Sequence, residues 1–312
     1  MYLFSNILGV FVFDENFKIV DEILFKDLND YKNKEKFIES LRNKHNLAVT
    51  DKHILKTALI HFKSKKFFND FYNINMQLTK SDVKSSVKSD ILIVQAVHSI
   101  EELDKILNIL SKRLREWYEL YNPEFSAAMK EHEKFIEDII RKDKNELLKC
   151  MKLISSDSIG ADLKSEDLEP IMSFARQIHE LYQLRKGILG YVSISMDKVC
   201  PNIKAVCGVY LGARLIEKAG SLKRLSELPA STVQILGAEN ALFRHLKTGA
   251  KPPRHGVILN HPLLAKAPDR MHGKIARALA DKTCIASKID YFQGKFIGDK
   301  LKIEIEKKFG SF

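Results

Sequence analysis

Gly237–Gly256 reads GAENALFRHLKTGAKPPRHG and carries the densest chemistry in the chain. At 3.6 residues per turn, Ile235, Ala238, Leu242 and Leu246 gather on one side, while Asn240, Arg244 and Lys247 gather on the other. That spacing predicts an amphipathic helix. Gly249 suits the left-handed residue that ends it, and Pro252 and Pro253 forbid continuation and stiffen the next few residues. Lys251, Arg254 and His255 then project from a backbone with little freedom. A rigid basic loop beside a basic helix face suits phosphate oxygens and looped-out bases. The plain alternative is a solvated helix face followed by an ordinary turn.

Charge separates these two readings. The 312 residues carry a net charge of +11, and 45% are hydrophobic, enough for packed cores and for two or three domains. Between Arg244 and Lys288 lie ten Lys/Arg against two acids, Asp269 and Asp281. This one segment therefore holds +8 of the total, a concentration that points to nucleic acid more than a uniform lysine excess would.

Outward from the basic stretch, Pro201 suits the first residue of a helix. The following NIKAVCGVYLGARLIEKAG reads as one apolar helix, in which Gly208 and Gly212 allow close approach of another backbone and Gly220 caps the end. SLKRLSELPAS reads as a short helix stopped by Pro229. Beyond the stretch, Asp269–Phe292 reads as a long helix with Arg270, Lys274, Arg277 and Lys288 on one face and Met271, Ile275, Leu279 and Ala286 able to bury. The final LKIEIEKKF alternates, as a strand or a frayed tail would.

Toward the N-terminus, Ile91 begins a long helical pattern that stops at Asn122-Pro123. Next come two heptad-like arms. The first carries Ile136, Ile140, Leu147, Cys150 and Ile154 with Asp143 as a polar break, and the second runs from Leu168 to Val192 through Ile178, Tyr182 and Leu189. The polar Ser155–Pro170 between them predicts an antiparallel coiled-coil hairpin, loosened near its end by Gly187 and Gly190. Residues 1–25 read as a β-hairpin, Lys34–His45 and Lys52–Phe62 as helices, and Lys80–Asp90 as an exposed connection. The apolar N-terminus lacks a positive n-region and a cleavage site and reads as a strand, not a signal. Four cysteines without a CxxC pair indicate a reduced, intracellular chain with buried thiols.

Catalytic patterns fail one after another. Lys247-Thr248-Gly249 matches a KTG element, and SxxK occurs at Ser81–Lys84 and Ser85–Lys88, but the S-D-N element is missing. His245, His255, His261 and His272 form no zinc spacing, and no glycine-rich loop follows a strand. The residues argue against a self-contained catalyst, and no metal or cofactor is expected.

The stretches Gly220–Ile258, APDRMHG, His272–Phe292, PNIKAVCGVYLGARLI and ILIVQAVHSIEELDKILNILSKRLREWY together resemble the Nop family, specifically the archaeal core proteins of box C/D guide-RNA particles. The likeness covers about residues 89–312 and extends weakly over 1–88. Asn240 stands where the family often has Lys, and the lysine/acid tail of eukaryotic relatives is absent, which favours an archaeal-type, cytoplasmic member over a nucleolar one.

The resemblance implies a mostly α, multi-domain scaffold: a small α+β fibrillarin-binding domain over 1–110, a coiled-coil dimerisation region over 111–195 and an all-α Nop domain over 196–312. Fibrillarin, the S-adenosylmethionine-dependent partner, would perform RNA 2′-O-methylation. The Nop domain would clamp a kink-turn of the guide RNA already held by a small ribosomal-type protein. Arg244, Lys247, Lys251, Arg254 and His255 are the foremost RNA candidates, with Asn240, Arg270, Lys274 and Arg277 behind them. Glu239 is assigned to the small protein, and Ile136, Ile140, Leu147, Ile178, Tyr182 and Leu189 to self-dimerisation. Two other functions remain open: a spliceosomal-type kink-turn binder without a methyltransferase, and an RNA-modifying enzyme in its own right.

Overall fold

The computed structural model describes residues 1–45, 67–153 and 158–310, together with residues 56, 59, 60 and 62. It is mostly helical, with one small sheet, and divides into two compact units, Met1–Lys88 and Ser89–Phe312.

In the first unit the expected hairpin is a three-stranded antiparallel meander: β1 (Tyr2–Ser5), β2 (Gly9–Phe13) and β3 (Ile19–Leu24), with β2 central. The extra turn comes from Asn6, whose Oδ1 accepts from the backbone of Leu8 at 2.8 Å and of Gly9 at 3.3 Å. Alternation sorts the sheet faces: Phe11 and Phe13 join Phe4 and Leu8, while Val10 and Val12 pack with Phe25, Ile38 and Leu41. Helices α1 (Leu28–Lys32) and α2 (Lys34–Lys44) follow. The expected helix at Lys52–Phe62 lies mostly outside the described residues. Lys80–Asp90 is no loop: α3 (Phe68–Ser86) takes most of it. Its polar residues are the exposed side of a helix uninterrupted by Gly or Pro.

The second unit is built on α4 (Ser89–Tyr118) and α8 (Ser165–Val199), packed antiparallel along their length. Arg185 forks onto Asp104, and Ser111 Oγ lies 3.3 Å from Tyr182 Oη. The predicted first coiled-coil arm is instead broken into α6 (His132–Arg141) and α7 (Lys144–Cys150), after the short α5 (Pro123–Ala128). Asp143 is the cause. It forms a capping box with Glu146, accepting from the Glu146 N–H at 2.7 Å while Glu146 accepts from the Asp143 N–H at 3.1 Å, so it starts a helix instead of interrupting one. The main partner of α8 is therefore α4, with α6 packed beside it.

The broken arm gives the heptad residues partners within the chain. Ile136, Leu147 and Ile178 are fully buried among the chain's own helices, and Ile140, Tyr182 and Leu189 are half-buried against the same cores. They pack the single chain together. Residue 110 lies within α4 and residue 195 within α8, and the compact units part after Lys88. Helix α8 passes through Gly187 and Gly190 without a break.

Pro201 opens α9 (Pro201–Cys207) as expected, but Gly208, at φ 78°, separates it from α10 (Val209–Ala219). Gly212 makes the close approach, since an added Cβ would lie 2.8 Å from Met196 Cε. Then come α11 (Leu222–Glu227), α12 (Ala230–Ile235), α13 (Glu239–Thr248), a 3-10 turn (Val257–Asn260), α14 (Pro262–Lys266), α15 (Asp269–Tyr291) and α16 (Gly298–Phe309). The C-terminal alternation is thus helical: Leu301, Ile305 and Phe309 bury at spacing four while Ile303 stays exposed. Asp290 of α15 ties α9 down, accepting from the backbone of Asn202 at 3.1 Å and Ile203 at 2.9 Å. Among the described residues no helix is long and apolar enough to cross a membrane. Three of the thiols are buried as expected, but Cys150 is exposed at the end of α7.

Candidate nucleic-acid interface

Three pieces carry the basic segment: α13, the loop 250–256 and the outer face of α15. Helix α13 ends as the sequence predicts, with Gly249 at φ 68° donating to His245 O at 2.8 Å. His245 Nδ1 closes onto Ala250 O just beyond. The far end of the loop is stitched to α12: Gln234 Nε2 donates to Arg254 O at 2.9 Å, and Gly256 N donates to Gln234 O at 2.8 Å. Only glycine fits at 256, where a Cβ would lie 1.9 Å from Leu236 O. The loop is anchored at both ends and braced by two prolines, so its cations are held in place without burial.

Arg254, His255, Arg270 and Arg277 converge on one cleft of about 750 Å³, floored by Pro253 and by Ser231 and Gln234 of α12. His255 is half-buried, and its Nδ1 is enclosed without a hydrogen-bond partner among the described residues. Its ring lies 6.2 Å from that of His272, edge to face. Burial, then the neighbouring His272 and Arg254, push the His255 pKa below the usual histidine value. The lowered pKa favours the neutral ring. His272 is itself held by Ala267 O at 2.9 Å.

The other candidates stand nearby. Asn240, Arg244 and Lys247 share the exposed face of α13, and Lys251 is exposed at the loop's start. Lys274 lies one turn from Arg270 on α15 and lines a neighbouring cleft. Glu239 is exposed and accepts from the Gly237 N–H at 2.7 Å, which closes the first turn of α13. Of the ten cations between Arg244 and Lys288, Lys282 alone enters an ion pair recorded among the described residues, with Glu304 at 2.6 Å.

The apolar side of α13 departs from the pattern. No residue of this helix is buried: Leu242 is half-buried, Leu246 is 70% exposed, and Phe243 is 59% exposed. Ile235 belongs to α12, not α13. The periodicity is real, but the face it marks is not buried by any partner among the described residues. Gln234 and Ser231 were not foreseen as cleft residues, because nothing local in their sequence marks them.

The KTG triplet is a helix end: Thr248 Oγ1 donates to Arg244 O at 2.8 Å, and Gly249 is the cap. His261 holds structure, accepting from Leu263 N at 3.2 Å through Nδ1 while Nε2 meets Val206 O at the same distance. Among the described residues one group has metal-like spacing, His98, Glu101 and Glu217. Arg214, 2.7 Å from Glu101, and Lys218, 3.0 Å from Glu217, already balance its two carboxylates.

Residues 99–311 match the family model described as Nop: snoRNA binding domain, fibrillarin. The chain is 43% identical over 247 residues to an uncharacterised NOP5 family protein of Methanocaldococcus jannaschii, covering 74% of this chain and 59% of that one. It is 36% identical over 270 residues to nucleolar protein 56 of Schizosaccharomyces pombe, covering 78% of this chain and 54% of that one. It therefore spans between half and three-fifths of the length of these relatives. A solved chain titled as the fibrillarin/Nop5p complex is 24% identical over 99% of this chain and 98% of its own, with a TM-score of 0.46. The basic helix, loop and cleft all fall inside the matched residues, and relatives above 30% identity align over most of the sequence: the chain belongs to the Nop family.

Proposed function

We propose that this chain is a non-catalytic scaffold of a box C/D guide-RNA particle, directing 2′-O-methylation of rRNA or tRNA by bound fibrillarin. The observation that carries the proposal is the array of cations on α13, the loop and α15, held in place and, Lys282 apart, without carboxylate partners among the described residues. Protein surfaces that present fixed, uncompensated Lys and Arg suit the phosphate backbone. On this reading Arg254, His255, Arg270 and Arg277 hold the kink-turn RNA, with Arg244, Lys247 and Lys251 on its flank. The small ribosomal-type protein already on that RNA covers Glu239 and the exposed Phe243 and Leu246, an apolar pair that needs a partner.

Fibrillarin would dock on the first unit, where a groove of about 720 Å³ is lined by Leu8, Ile19, Leu24, Phe25 and Ile74. Self-association would use the outward edges of the long helices, where Ile109, Leu184 and Ile194 are exposed, beside the half-buried Ile140, Tyr182 and Leu189. S-adenosylmethionine belongs to the partner. The contribution of this chain is orientation, which lowers a barrier by holding reactants in register. An archaeal particle of this kind works in the cytoplasm, a eukaryotic one in the nucleolus.

The deciding experiment incubates guide RNA, target and labelled S-adenosylmethionine with the small RNA-binding protein and this chain, with and without fibrillarin. Methyl transfer is expected only when both this chain and fibrillarin are present. Transfer by this chain alone would make it an enzyme and end the scaffold reading.

A further inference from the structure

Arg277 lines two clefts. On one side is the cleft of Arg254, His255 and Arg270. On the other, between α15 and α16, is a second cleft of about 670 Å³ lined by Lys274, Arg277, Lys282, Glu304 and Lys308. Ala230 is the other residue common to both.

The second cleft is positive once its internal pairing is removed. Lys282 and Glu304 lie 2.6 Å apart, and the hydrogen bond from Lys282 holds the Glu304 carboxyl below its usual range, so this pair cancels. Asp281 then stands alone against Lys274, Arg277 and Lys308, none of which enters an ion pair recorded among the described residues. Lys308 is not there by chance of a frayed tail. Helix α16 is fixed by burial of Leu301, Ile305 and Phe309, and Lys308 Nζ sits 5.6 Å from the Phe309 ring. On α15, Arg270, Lys274 and Arg277 fall at i, i+4 and i+7, so a rise of about 1.5 Å per residue strings them over about 10 Å.

We infer that the two clefts form one track for an RNA strand: the backbone held by Arg254 and Arg270 continues past Arg277, and Lys274 and Lys308 take its next phosphates. A single small anion does not fit the second cleft. Such a site needs desolvated donors, and Lys274, Arg277 and Lys308 are all exposed. Exposed cations strung along a groove suit a repeating polyanion, whose affinity comes from released counterions. The α15–α16 groove thereby gains a role that the basic loop does not suggest. The inference rests on the RNA-binding reading of the first cleft.

The test measures binding of a labelled kink-turn RNA hairpin, already carrying the small kink-turn-binding protein, across a salt series. The full chain is compared with Lys274→Gln/Lys308→Gln, Glu304→Gln and Arg254→Ala. The double variant should bind several-fold more weakly and lower the slope of log affinity against log salt by about 1–2, since each phosphate contact contributes about 0.9. Its unfolding midpoint should not move, because both side chains are exposed. Glu304→Gln should act oppositely, strengthening binding by releasing Lys282 into the groove. If the double variant keeps wild-type affinity and slope while Arg254→Ala loses both, the track ends at the first cleft and the inference fails. If the wild-type chain itself binds without salt dependence, the RNA reading of the first cleft fails, and the track fails with it.

Discussion

The α4–α8 helix pair and the α13–α15 segment use the same residue types in opposite ways. Along the long helices basic side chains find acids: Arg185 meets Asp104, Arg214 and Lys218 meet Glu101, Lys186 meets Glu133, and Arg176 meets Glu169. In the second region Arg244, Lys247, Lys251, Arg254, Arg270, Lys274 and Arg277 enter none of the ion pairs recorded among the described residues. An exposed pair such as Arg176–Glu169 contributes at most about 1 kcal/mol, so its effect is to set helix register and neutralise the charge locally. The unpaired cations keep their field, which attracts a polyanion and steers its approach. Net charge alone would not separate the two regions, because what differs is the placement of the carboxylates.

The largest effect that would sharpen this contrast lies in the paired region. Ile178 is fully buried beneath α4 and α6, and Ile178→Ala should cost about 2–5 kcal/mol of stability, measured by urea unfolding. The RNA salt slope of the folded variant should stay as in the parent. A stability loss under about 1 kcal/mol would mean that Ile178 is not the core residue its burial indicates.

Next in size is Arg254→Ala with Arg277→Ala. Both side chains are exposed, so unfolding by heat should be unchanged, while the salt slope of RNA binding should fall by about 2. A variant that melts earlier but binds normally would break the comparison, since these arginines would then be structural like Arg185.

The smallest effect is proton linkage at His255. Arg254, Arg270, Arg277, His272 and Asp269 surround it in the cleft. Its pKa in the free protein lies below the usual value, chiefly through burial. A phosphate in the cleft favours the protonated ring, so the complex takes up a proton, and affinity should rise modestly as pH falls from about 7.5 to 6. Stability moves the other way. The unfolded chain protonates this histidine first, near pH ~6.5, so folding weakens as pH drops through that value. His255→Gln should flatten the affinity profile, and a profile that keeps its slope would place the titrating group elsewhere.

Much of the fold was legible locally. The Gly249 cap, the Gly220 cap, Pro201 as a helix start and the burying face of α15 all depend on residues within a turn or two of each other. One legible signal was misread: Asp143-Lys-Asn-Glu146 is a capping box, and its reciprocal bonds start α7 where a heptad reading continues one helix. Gly208 reads locally as a helix-interior residue, yet its positive φ ends α9 before α10 begins. The alternating LKIEIEKKF was ambiguous, since Leu301 and Ile305 satisfy both a strand and a helix period until Phe309 is buried beside them.

The sequence by itself determined where the positive charge lies, where most helices start and stop, and the family likeness. Each of these is written in neighbouring residues or in long matching stretches. Tertiary structure decided which partners those helices take: α4 beside α8, Ile136 and Leu147 turned inward, Phe243 and Leu246 left outside. It also decided that Arg254 and Arg277, 23 residues apart in the chain, share one cleft, and that Lys308 stands across a groove from Lys274. The reason is range. Caps and periodicity act over about four residues, whereas pairing a cation with a carboxylate or leaving it free depends on how distant segments close on each other, and local sequence does not encode that.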